Sequence, residues 1–110
     1  MELELNGESI ATTDQGFLLD MNYWSESLAE HLAQIEGINL TEAHWEILRF
    51  IRQFYQQYQY LPNARVFSKA IKNQLGTEKA QSRYLLKLFP EGPLKYACKI
   101  AGLPKPPSCL

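Results

Sequence analysis

Residues 40–60, LTEAHWEILRFIRQFYQQYQY, constrain the fold more than any other stretch of this chain. Ile47, Leu48, Phe50, Ile51, Phe54, Tyr55 and Tyr58 recur at the three- and four-residue spacing of one helix side. That stripe is too broad for a helix lying on a single neighbour, so it predicts the central helix of a bundle. Thr41 has the form of its cap, and Glu42 suits the positive end of the helix dipole. Leu61-Pro62-Asn63 ends it, because Pro62 disfavours helical geometry at the residue before it.

The flanking segments supply partners for that stripe. Ser25 or Ser27 starts an earlier helix that runs to about Glu36 and stops at Gly37, with Leu28, His31, Leu32 and Ile35 inward. A helix over about 63–75 buries Val66, Phe67, Ala70 and Ile71 and ends at Gly76. Thr77 caps another, over about 78–89, with Tyr84, Leu85, Leu88 and Phe89 inward until Pro90-Glu91-Gly92 breaks it. Pro93 opens a last short helix that stops at Gly102, with Leu94, Ala97, Cys98 and Ala101 on one stripe. Residues 1–13 alternate around Asn6-Gly7, a strong hairpin signal, and Asp14-Gln15-Gly16 marks a second turn. A lone hairpin is marginal in water, so it must lie on the helices. The expectation is a mainly α protein. It is a small orthogonal helical bundle with an N-terminal β-hairpin and a flexible C-terminal arm carrying the penultimate cysteine. At 110 residues it is a single domain: hairpin 1–13, bundle 25–102, arm 103–110.

The arm, LPKPPSCL, cannot be helical, since Pro104, Pro106 and Pro107 remove amide donors and favour an extended path. Both cysteines lie at this end, Cys98 in the last helix and Cys109 next to the terminus. Their eleven-position spacing is wrong for zinc, and His31 and His44 belong to separate helices, so no metal is expected. No apolar run suits a membrane span, and the N-terminus lacks a basic flank and signal-peptide core, which places the chain in the cytoplasm. Thiols are kept reduced there, which opposes a permanent bridge between the two. Cys98 suits either a buried apolar position or a second thiol of a reactive pair. Cys109 has no packing role at the tip of an arm. Lys99 and Lys105 nearby would favour its thiolate, the form that attacks or carries sulfur.

Charge is divided along the chain. Residues 1–48 hold ten of the twelve acids and no Lys or Arg, and residues 49–110 hold all eleven basic residues. The two halves either attract each other in the fold or form a basic face for an acidic partner or RNA. Residues 61–89 also pass as a helix-turn-helix, so a DNA-binding regulator using Arg65, Lys69, Lys72, Lys79 and Arg83 is an alternative. That alternative leaves Cys109 unexplained.

Three stretches then carry a resemblance: LTEAHWEILRFIRQFYQQY, SRYLLKLFPEGP and KIAGLPKPPSCL are similar to the DsrC/TusE sulfur-carrier family. The resemblance implies a sulfurtransferase without a cofactor, whose Cys109 receives sulfur as a persulfide and passes it on. In the TusE branch, the donor is a TusBCD-like complex and the acceptor an MnmA-like enzyme. That enzyme makes 2-thiouridine at the tRNA wobble position, so tRNA is met only through it. In the DsrC branch, the partner is dissimilatory sulfite reductase, and a cysteine matching Cys98 bonds to Cys109. The branch markers divide here. TusE-like members commonly lack the second cysteine, and AQSRYL stands where the family often has GNSRYL. Arg83, Lys95, Lys99 and Lys105 are the candidate partner-binding residues around the arm.

Overall fold

The computed structural model describes residues 1–107. It opens with the antiparallel hairpin of β1 (Glu2–Leu5) and β2 (Glu8–Ala11). Leu5 pairs with Glu8, which leaves Asn6 and Gly7 as a two-residue turn at φ 54° and 81°. Both central residues are left-handed, as the twist of paired strands favours, and Asn and Gly bear that conformation best. Leu3 faces Ile10 across the ladder, and Ile10 is buried. The following turn is closed by Thr13 N–H donating to the Phe17 carbonyl at 2.7 Å. It delivers Phe17 and Leu18 into the core.

Ser25 caps α1 (Glu26–Ile35), its hydroxyl accepting from Leu28 N–H at 3.1 Å. Starting there turns Leu28, Ala29, Leu32 and Ala33 inward. Ile35, expected inside, is 58% exposed, because the inner stripe runs through the two alanines instead. The long helix α2 (Glu42–Tyr58) buries Ile47, Leu48, Phe50, Ile51 and Phe54 as the periodicity predicts. His44 completes a capping box with Thr41. Its Nδ1 accepts from Thr41 N–H at 3.0 Å, so Nε2 bears the hydrogen and donates to the Leu88 carbonyl at 2.8 Å. The helix stops at Gln59, left-handed at φ 59°, before Pro62 can act. Tyr58 therefore lies on the last exposed turn.

Asn63 caps α3 (Ala64–Leu75), accepting from Val66 N–H at 2.9 Å. Phe67 and Ile71 face the core, whereas Val66, expected buried, is exposed in the first turn. The next expected helix is two: α4 (Thr77–Ala80) and α5 (Ser82–Leu88). Gln81 between them is extended, at ψ 141°. The break lets Ser68 Oγ donate to the Ala80 carbonyl at 3.4 Å, and α5 then buries Leu85 and leads Phe89 into the core. Finally α6 (Pro93–Ile100), with proline at its first turn, packs Leu94, Ala97, Cys98 and Ile100 against α1 and α2. Beyond it, Leu103 and Pro106 are buried, so the expected detached arm lies on the body as far as Pro106. Among the described residues, no helix is long and apolar enough to cross a membrane.

Candidate functional site

A helix end leaves four carbonyls without partners in the helix, and α6 satisfies all four of its own. Gly102, at φ 74°, reverses the chain. Gly102 N–H donates to the Lys99 carbonyl at 3.2 Å, and Leu103 N–H to the Cys98 carbonyl at 2.9 Å. These are the paired bonds of a Schellman motif, completed by the buried Leu103. The remaining two carbonyls are held by distant side chains. Trp24 Nε1 donates to Ile100 O at 2.9 Å, and Arg52 Nη1 to Ala101 O at 2.6 Å.

Trp24 and Arg52 also hold each other, the guanidinium carbon lying 3.8 Å from the indole ring centroid. Asp20 caps the 3-10 turn Met21–Tyr23 that sets Trp24 in place. A cation at a helix C-terminus is favourable, and here burial pushes the Arg52 guanidinium below its usual value. Glycine at 102 is required twice over. Besides its positive φ, a Cβ there would stand 2.3 Å from Trp24 Cδ1. The root of the arm is thus clamped by residues from two distant elements.

The candidate residues fall around this clamp unequally. Cys109 lies outside the described residues. Cys98 is fully buried on the inner face of α6, in the turn from which the arm departs. Lys99 Nζ is paired with Glu36 Oε1 at 2.6 Å, with 12% of its side chain exposed, and packs against Gly16. That contact ties α6 to the end of α1. Lys95 is half-buried near the Tyr96 ring, and Arg83 and Lys105 are exposed. Lys79, one of the residues a DNA-binding reading would need, is paired with Glu46 at 2.6 Å.

Residues 4–110 match the family described as DsrC like protein. The chain belongs to this DsrC-like family. A sulfurtransferase TusE of Pectobacterium atrosepticum is 56% identical over 108 residues, 98% of this chain and 99% of the relative. A sulfurtransferase TusE homolog of Haemophilus influenzae is 50% identical over the same shares of both chains. Among solved structures, Allochromatium vinosum DsrC superposes with a TM-score of 0.88 at 43% identity, covering all of both chains. The oxidized gamma-subunit of dissimilatory sulfite reductase (DsrC) from Archaeoglobus fulgidus gives 0.84 at 39%, again over all of both. With relatives this similar over its whole length, the DsrC-like chain is a sulfurtransferase of the sulfur-relay type.

The clamp gives the C-terminal segment of this DsrC-like chain a fixed root. Gly102-Leu103 after a helix was a readable signal for the Schellman turn. Trp24 and Arg52 were not readable, since neither stands in a local pattern that points to residues 100 and 101. Among the described residues, no three His, Cys, Asp or Glu side chains gather as a metal site.

Proposed function

We propose that Cys109 is the sulfur-carrying residue and that the relay feeds 2-thiouridine formation at the tRNA wobble position. The observation that carries this is a penultimate cysteine on a proline arm whose root is clamped, in a chain about half identical to TusE sulfurtransferases. In the first step the Cys109 thiolate attacks the outer sulfur of a donor persulfide. A new S–S bond forms at Cys109, the donor S–S bond breaks, and the donor leaves as a thiolate. In the second, an acceptor thiolate attacks the outer sulfur of Cys109, taking it as a persulfide and restoring the Cys109 thiolate. No net oxidant is consumed in either exchange. The donor is a TusBCD-like complex and the acceptor an MnmA-like thiolase, both in the cytoplasm, with tRNA held by the acceptor.

Intact-protein mass spectrometry after incubation with a persulfide donor tests the carrier. The wild type should gain the mass of a sulfur atom and Cys109→Ser should not. A Cys109→Ser protein that still gains it would falsify the assignment.

A second reading rests on Cys98, buried in the turn where the arm begins. In it the protein works with dissimilatory sulfite reductase, through a bond between Cys98 and Cys109. Mild oxidation followed by peptide mapping decides: an intramolecular Cys98–Cys109 link supports it, and Cys109-linked dimers alone exclude it.

A further inference from the structure

Cys109 follows the buried Pro106 by three residues, so its sulfur stays within about 10 Å of chain from that contact. Even with the tail lifted back to Leu103, six residues reach only about 20 Å. An enzyme whose active site takes this thiol must therefore press against the surface around the root of the arm. Beside Leu103 that surface holds a pocket of about 280 Å³, between the 3-10 turn and the last turns of α2. Met21, Asn22, Tyr55, Gln56, Gln59 and Leu103 line it. Arg52 lines it as well, with its guanidinium already committed to Ala101 and Trp24.

The chemistry of this face differs from that of the basic residues the sequence singled out. Its exposed groups are a thioether, phenols and side-chain amides. At the same end of α2, Tyr58 and Tyr60 are 50% and 58% exposed. Both rings pack on Phe54, at 4.8 and 5.9 Å, and lie 6.1 Å from each other. Aromatic rings held in place before contact lose little freedom on binding, and Tyr and Met are enriched where proteins meet. Lys95, by contrast, lies near the start of α6, over a turn back from the root.

We infer that this tyrosine and amide face at the root of the arm is the docking surface for the sulfur-accepting enzyme, which seats an apolar or aromatic side chain in the pocket. The inference rests on the delivery reading above and adds where the acceptor's body sits while the arm enters its active site. Delivery then needs two contacts, one for the thiol and one for the face.

Binding of the MnmA-like thiolase from the same cell tests it, measured by titration with Cys109→Ser protein so that no sulfur chemistry intervenes. The double variant Met21→Asp/Gln56→Glu should weaken binding at least tenfold, and Gln56→Arg should weaken it in the same direction, since either charge is stranded in the interface. Ser82→Glu, exposed at the start of α5, serves as the remote control and should bind like the parent. Unchanged melting temperatures confirm that each variant folds. Equal binding by all four proteins overturns the docking surface and leaves delivery standing. A loss with Ser82→Glu alone moves the surface to α5 and overturns it too. If the parent binds no thiolase, the delivery reading itself falls, and the docking inference with it.

Discussion

The hairpin and the arm are the two extended ends of this protein, and they are held by opposite means. The hairpin's path is set by its own residues, four registered pairs and an Asn-Gly turn within eleven residues, although Ile10 also seats it on the core. Among the described residues, the arm pairs with no strand. Its root is held by Trp24 and Arg52, 76 and 49 positions away from the carbonyls they grip. A self-closed element can be read from its own residues, whereas a clamped one can be read only once the fold has brought the clamp together.

The contrast is sharpest at two glycines. Gly102→Ala should be the most damaging change, since alanine must bear φ 74° and a Cβ 2.3 Å from the Trp24 ring. We expect a loss of about 3 kcal/mol or more in denaturant unfolding. Arg52→Met comes next. It leaves the Ala101 carbonyl without its donor and removes the cation over Trp24, so about 2 kcal/mol should be lost. The same variant should slow sulfur delivery to the acceptor while loading from a small persulfide continues; equal slowing of both would mean the clamp is only structural. Gly7→Ala should cost less, about 1 kcal/mol, because its Cβ meets nothing within 4 Å and only the positive φ is strained. Sulfur delivery by that variant should match the wild type.

The smallest effect should come from Lys79→Met. Its hydrogen bond to Glu46 pushes the ammonium above its ordinary value. A raised value means that the pair's contribution is fully present below the ordinary lysine range and is lost only as pH rises through the folded value. Melting curves of the variant and wild type should therefore keep the same offset across neutral pH. That offset should be near the limit of detection, as for other solvated pairs.

Much of the fold was legible because the hydrophobic period was strong. Ile47 to Phe54 of the α2 stripe and the stripe Leu94, Ala97, Cys98 and Ala101 are buried as the spacing required, whereas Tyr58, at the end of the α2 stripe, is 50% exposed. The errors share a cause: an apolar residue at helical spacing was read as inward when another residue could fill that place. Ile35 gave way to Ala29 and Ala33, and Val66 to the deeper Phe67 and Ile71. The break at Gln81 has no proline or glycine to announce it; it serves the packing of Leu85 and Phe89. Gln59 likewise ended α2 in a conformation that glycine or asparagine usually takes. At the candidate site, Cys98 was placed correctly on the stripe of α6, and Lys99 was legible as a cation near the arm but not as the partner of Glu36.

Pro106 gives the last consequence. It is buried on the body, so in the proposed delivery an acceptor would have to compete with the protein's own surface for the arm. Apparent affinity for the arm falls with the fraction of time it is lifted, so loosening that seat should tighten capture without touching either thiol. Under the proposed delivery, the seat of Pro106 would set a threshold, so that only an enzyme offering a better berth would draw the arm out.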